Sequence, residues 1–334
     1  MNAIDFLSSN SYIYLPTKNN PKVILAVDNA KMSTNSFKLY NPFSVKAKLL
    51  KKISKFTCTY SNGIVRLFLD KKEKADFINY LENILNESLV VSVYFGTILD
   101  KVVLQLQTKE AKIIGYVKYP LNGIGKKHLE NEKKAFEILS ELNIIDSYLL
   151  YDTYNSTPFL LLPTLDGTID VIENKDVENI LLNFKRSESY TLSKHPRIIS
   201  LKKLLIINGM ITYVELLKNI VTHSQENYSL VYEHGDFAPW NIVKTKDTCV
   251  AFDFEYFTEE GLEYLDLYKY YYQIGKLLNN LTGIELITYV LRNIKIKENV
   301  ELFKIFLLKE IVESKEENIL REFEMNILTI LDKK

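Results

Sequence analysis

Hydrophobic and polar positions alternate in short steps over the first seventy residues, where β-rich runs such as "KVILAV" are broken by Asn, Pro and Ser. The spacing changes at "KKEKADFINYLENILN" (71–86). Phe77, Leu81 and Leu85 stand there at i, i+4 and i+8, which predicts an amphipathic helix. Three β-rich runs follow, "LVVSVYFGT", "KVVLQLQ" and "KIIGYVKY", with "TKEA" as a turn between the second and third. A helical pattern at 128–142 and strands near 147–153 and 158–163 come next. Beyond "PTLDG" the spacing is mostly helical to the end, interrupted over 230–257. No internal repeat or low-complexity tract breaks this order. The predicted organisation is α+β: an N-terminal extension of unassigned role over 1–90, a β-rich lobe over 91–165, and a helical lobe over 166–334.

Composition narrows the classes. Apolar residues make up 47% of 334, enough for a full core in two lobes. Lys+Arg and Asp+Glu both total 42, so the basic excess of a general nucleic-acid binder is missing. Cys58 and Cys249 are the only cysteines and lie far apart, which speaks against a disulfide framework or a cysteine metal site. The first residues lack a basic segment followed by a long apolar stretch, and no window approaches 18 uninterrupted apolar residues. A cytoplasmic chain without a transmembrane segment is expected.

Candidate chemistry concentrates in "VYEHGDFAPWNIV" (231–243) and "VAFDFEYF" (250–257). Asp236 precedes Asn241 by five residues, and Asp253 follows twelve residues later at the end of a β-type run. An aspartate, an amide five positions on and a second carboxylate leaving a strand suit phosphoryl transfer. One carboxylate accepts the proton of the attacking hydroxyl, while the amide oxygen and the other carboxylate hold Mg²⁺ against nucleotide phosphates. Pro239 and Trp240, the latter the only tryptophan, would stiffen the loop between them. A buried turn with incidental carboxylates would have to reproduce the same spacings by chance.

The pattern His234-Gly235-Asp236, Asn241, Asp253-Phe254-Glu255 resembles the aminoglycoside phosphotransferase and choline kinase group of small-molecule kinases. In that group H-G-D stands for the H-R-D of protein kinases and D-x-[DE] for D-F-G. The resemblance covers roughly residues 91–280. With the preceding region included, it is nearest to phosphotransferase-like proteins associated with bacterial surface-glycan synthesis. It implies a bilobal protein-kinase-like fold, ATP or GTP and Mg²⁺ as cofactors, and a small-molecule acceptor as partner. It also implies Asp236 as catalytic base, Asn241 and Asp253 as metal ligands, and Glu255 as a helper near a second metal. His234 would hold the loop. Asp266, at the head of "DLYKYYYQ", would either cap its helix or tie down the catalytic loop.

The β-rich lobe offers an independent check. A kinase needs a strand lysine oriented by a helix glutamate. Lys118 in "GYVKYP" is the lysine, and the following helix offers Glu130 and Glu132. Glu132 shares a face with Leu129, Phe136 and Leu139, where an unpaired carboxylate would be costly, so it is the expected partner. The stretch "FGTILDK" stands where such kinases keep a phosphate-covering loop, with Gly96 its one glycine. By position, "LLLPTL" would be the hinge, its backbone at Leu162 and Thr164 facing adenine. "NGIGKK" (122–127) lacks the phosphate-loop spacing and reads as a strand-to-helix loop.

Two readings remain at this point. One is an ATP-dependent phosphotransferase acting on a hydroxyl of a sugar, amino sugar or amino alcohol. The other is a nucleotide-binding pseudokinase or interaction module, suggested by the glycine-poor loop and the unmatched first seventy residues. Glu255, Glu259, Glu260 and Glu263 form either an attraction for a cationic acceptor or a solvated acidic loop.

Overall fold

The β-branched and aromatic runs of the N-terminal half pair into one antiparallel sheet. The computed structural model describes residues 3–8, 10–40, 42, 45–61, 73–95, 100–169, 171–316 and 319–333. Contacts divide the chain into two units, Met1–Lys133 with Ser147–Thr164 and Lys134–Asp146 with Leu165–Lys334. The fold is α+β, with the large sheet in the first unit and most helices in the second.

In the first unit the strands are β1 (Tyr12–Pro16), β2 (Pro21–Ala26), β3 (Leu89–Phe95), β4 (Lys101–Thr108), β5 (Ile113–Pro120), β6 (Leu150–Tyr154) and β7 (Thr157–Leu162). They lie in the order β1-β2-β3-β4-β5-β7-β6. The helices are α1 (Ala30–Ser36), α2 (Val45–Tyr60), α3 (Asp76–Leu85) and the start of α4 (Gly123–Glu141). Strand periodicity sends alternate residues of β2 to opposite faces. Ile24 and Ala26 join the core that Phe77 and Leu81 of α3 make with Val91, Leu104, Val117 and Phe159. Val23 and Leu25 join a second cluster with Leu15, Phe37 and Cys58. The first ninety residues therefore supply two strands and a helical cover to the sheet. The alternation of "KVILAV" carries that role, but nothing in it names β3 as the partner.

The second unit holds α5 (Asn174–Asn183), β8 (Lys185–Thr191), α6 (Pro196–Ile207), α7 (Ile211–His223), β9 (Asn227–Glu233), β10 (Ile242–Lys244), β11 (Cys249–Ala251), β12 (Thr258–Leu262), α8 (Leu265–Gln273), α9 (Gly283–Asn293), α10 (Asn299–Glu316) and α11 (Glu322–Asp332). Strands β12-β9-β8 form a small sheet, and β10 and β11 a hairpin.

Three expectations are corrected. The first seventy residues read as short β-rich runs, but Ala30–Ser36 and Val45–Tyr60 within them are helical. β8, "KRSESYT", carries too few apolar residues to read as a strand. It forms because its backbone pairs with β9 while its side chains stay half-exposed. The stretch "NGIGKK" is not a loop but contains the first turn of α4, in which the N–H of its third residue, Gly125, donates to Asn122 Oδ1 at 3.0 Å. An asparagine cap overrides two glycines there. Among the described residues, no helix is long and apolar enough to cross a membrane.

Candidate active site

Strand β9 ends at Glu233 and delivers "HGDFAPWN" as a tight loop. Gly235 sits at φ +81° with its Cα against the Tyr256 backbone, so a Cβ would be driven into the Tyr256 carbonyl oxygen. Only glycine suits that turn. Pro239–Asn241 then forms a 3₁₀ turn with proline in its first position, leading directly into β10. Because Ile242 pairs with Ala251, the base of the β10–β11 hairpin lies between Asn241 and Asp253. The Phe252 N–H donates to the Asn241 carbonyl at 2.9 Å. Hairpin closure thus joins the two proposed metal ligands across a short backbone path.

The loop is tied down by buried groups. Asp266, the second residue of α8, accepts from the backbone N–H of His234 at 2.7 Å and of Gly235 at 2.9 Å. The cap position of α8 is Tyr264, so Asp266 fastens the loop and does not cap the helix. Burial, with Glu233 nearby, pushes the Asp266 carboxyl up to about 6. The His234 ring spans the site: Nδ1 accepts from the Asp236 N–H at 3.3 Å, which leaves Nε2–H to donate to the Phe252 carbonyl at 2.9 Å. Phe254 packs on that ring with centroids 4.6 Å apart. His234 is a brace with both nitrogens engaged.

Asn241 and Asp236 are coupled directly. Asn241 Nδ2 donates to the Asp236 carbonyl at 2.8 Å and to Asp236 Oδ2 at 3.0 Å. With its NH₂ committed to Asp236, the asparagine presents its amide oxygen in the other direction. Asp253 holds φ +70°, a left-handed conformation that costs a non-glycine residue about 1–3 kcal/mol and collects at functional sites. Glu255 is buried two residues on.

A second set of charges, not anticipated from the sequence, lies beneath the loop. Lys269, three residues after Asp266 on α8, contacts Asp236 Oδ1 at 3.3 Å and Glu310 at 2.8 Å. Lys309 contacts Glu233, Glu310 and Glu313 and donates to the Gly235 carbonyl at 3.3 Å. Arg197 grips Glu233 with two hydrogen bonds, 2.9 and 3.1 Å, and pairs with Glu313 at 2.8 Å. Burial alone would lower Lys269, but the Glu310 and Asp236 carboxylates override it and hold its ammonium above the usual range. Burial likewise opposes ionisation of Glu310, yet Lys269 and Lys309 draw its carboxyl down to about 2. The sequence signal for these residues was a charged pair, Lys309-Glu310, inside the apolar run "IFLLKEIV", and a single lysine among the tyrosines of "DLYKYYYQ".

In the first unit, Lys118 of β5 and Glu132 of α4 form a buried ion pair, 2.6 Å at its shortest. Glu132 is fully buried, while Glu130 is exposed and near Lys126. Gly96 lies outside the described residues. Asp100, the next described residue, meets His128 Nδ1 through its Oδ2 at 3.1 Å. Leu162 ends β7 opposite Tyr116, and Thr164 follows two residues later. Neither shows a feature particular to adenine. Glu259 and Glu263 are engaged by Lys134 and Lys185, and Glu263 also accepts the Ser229 N–H, which favours structural duty over acceptor attraction.

The sequence matches no protein-family model and no curated protein. Among solved structures the chain is similar to small-molecule kinases. An ADP-bound aminoglycoside phosphotransferase is 17% identical, with 78% of this chain and 97% of that chain covered and a TM-score of 0.45. An ethanolamine kinase of Plasmodium vivax is 14% identical over 91% and 95% of the two chains, TM-score 0.44. A choline kinase of Cryptosporidium parvum is 13% identical over 73% and 87%, TM-score 0.42. At these values the likeness assigns no residue a role.

Proposed function

We propose that the chain is an ATP-dependent phosphotransferase that moves the γ-phosphate to a hydroxyl of a small polar molecule, a sugar, amino sugar or amino alcohol, with GTP as the other candidate donor. The observation that carries this reading is the Asp236–Asn241 pair. A carboxylate is held from one oxygen by an amide and from the other by a buried lysine, on a loop fastened by Asp266 and His234.

In this reading Asp236 orients the acceptor hydroxyl and takes its proton as the phosphoryl group arrives. Lys269 and Asn241 fix the carboxylate's direction, so little reorganisation is needed at that moment. Lys118, kept extended by Glu132, contacts the nucleotide phosphates. The donors suit a hard divalent cation: the amide oxygen of Asn241 and the carboxylate of Asp253, with Glu255 as a further acidic group. When bound there, Mg²⁺ would neutralise charge on the phosphate oxygens. The surface-glycan association supplies no choice among acceptors.

The test is nucleotide consumption across panels of sugars, amino sugars, aminoglycosides and amino alcohols, followed by the Asp236→Asn variant on any acceptor found. Turnover should fall by about 10²–10⁴, the usual worth of a positioned acid–base group. Nucleotide affinity should barely change. Equal transfer by both proteins would remove Asp236 from catalysis. Nucleotide binding without turnover on any acceptor would favour the pseudokinase.

A further inference from the structure

Helix α2 is turned the wrong way for a helix that only completes a core. Its sequence, "VKAKLLKKISKFTCTY", contains five lysines and no acidic residue. Cys58 is buried in the cluster with Leu15, Val23 and Phe37, and Ala47, Lys51 and Ser54 on the same side are half-buried. The helix is thus seated on its unit by small residues and a lysine stem. The large apolar side chains point away from it. Leu49 is 57% exposed, Ile53 56%, Phe56 63% and Tyr60 76%. These four stand at i, i+4, i+7 and i+11, one stripe along a helix about 24 Å long. On a helical projection Lys46 borders the stripe on one side, and Lys52, Lys48 and Lys55 border it on the other. Among the described residues none of these four lysines has an acidic partner.

We infer that α2 is an interfacial anchor that lays its Leu49–Ile53–Phe56–Tyr60 stripe into an anionic lipid bilayer. An apolar stripe with lysine rims and a helix too polar to span is the pattern of helices lying in the headgroup region. Aromatic rings sit at that depth, and lysine stems reach along the apolar surface to keep their ammonium groups among headgroup phosphates. Charge decides against a second copy of the chain as occupant. Two α2 helices packed stripe to stripe would bring ten lysines together with no carboxylate from either helix. The chain as a whole is charge-balanced, so this basic excess is local to the apolar face.

The experiment is co-sedimentation of the full chain with vesicles of phosphatidylcholine alone and of phosphatidylcholine containing phosphatidylglycerol, with a parallel measurement of oligomeric state. Binding is expected only to the anionic vesicles. The exposed-site variant Ile53→Glu/Phe56→Glu should reduce it at least tenfold with far-ultraviolet circular dichroism unchanged. The triple variant Lys48→Gln/Lys52→Gln/Lys55→Gln should weaken binding about a hundredfold, at roughly fivefold per lysine near a charged surface. No binding to anionic vesicles, binding that neither variant alters, or a dimer that Ile53→Glu/Phe56→Glu dissociates would each overturn the inference. The last would assign the stripe to a protein contact.

Discussion

Lys269 is the residue whose removal tests the buried charges most sharply. Replacing it with methionine keeps much of its length and volume but strips the cation from between Glu310 and Asp236, which it contacts at 2.8 and 3.3 Å. Glu310 is held at about 2 against an ordinary 4.5, a depression worth about 3 kcal/mol at neutral pH. Lys309 remains 3.3 Å from Glu310 and retains part of that stabilisation. The expected loss is about 2–3 kcal/mol, at or just under the range for breaking a buried pair. Its pH dependence has a definite sign. A carboxyl depressed on folding contributes stability that is complete above its unfolded pKa of 4.5 and lost as pH falls through the folded value near 2. The gap between wild type and Lys269→Met should therefore be full at pH 7 and roughly half at pH 3. Urea denaturation followed by circular dichroism at both pH values reads it. Adding Glu310→Gln to Lys269→Met should recover part of the loss, because the stranded carboxylate goes. A gap equally large at pH 7 and pH 3, or no recovery in the double variant, would mean that packing and not charge is what Lys269 supplies.

Other outcomes follow from the same geometry. Gly235→Ala should cost about 1–3 kcal/mol in thermal or urea denaturation, because alanine is strained at φ +81° and meets the Tyr256 carbonyl. A stability equal to wild type would contradict the tight turn. Lys118→Met should destabilise by about 3–5 kcal/mol, since it leaves the fully buried Glu132 without its cation. Lys118→Met/Glu132→Leu should regain much of that in the same assay while nucleotide affinity stays lost. Failure to regain would show that Glu132 has other work.

Much of the candidate site was legible because its spacing is local. Asp236, Asn241 and Asp253 fall within eighteen residues, so one loop and one hairpin fix their relation whatever surrounds them. The Lys118–Glu132 pair was readable for a different reason. A carboxylate on the apolar face of a helix needs a cation, and the lysine at the end of the preceding strand is the one that a kinase-like lobe places there. Charges inside apolar runs signal that Lys269 and Lys309 are buried, but which groups they and Arg197 meet was not readable. Lys309 meets Glu310 and Glu313 within its own helix, but the hydrogen bonds that tie these three cations to Glu233, Glu310 and Gly235 across the fold span 36 to 74 residues, and side-chain periodicity says nothing about those pairings. The same holds for β8, a polar strand made by its ladder, and for β1 and β2, whose partner strand β3 starts more than sixty residues after β2 ends.

The hairpin β1–β2 determines where this protein can be cut. β3 reads "LVVSVYF", is buried along most of its length and meets β4 on one side. On the other side it pairs with β2 at Val23↔Tyr94 and Ile24↔Val93, and Ser8 Oγ accepts the Val91 N–H at 3.1 Å. Trimming the chain to begin near residue 88 would look like isolating the part that resembles a kinase. It would instead uncover a long apolar strand with unpaired N–H and C=O groups, a template on which other chains add strands. Such a fragment is expected to aggregate on expression, visible as early elution in size-exclusion chromatography, while a cut at or before residue 5 leaves the edge covered. The first thirty residues are thus the shield of the sheet's open side.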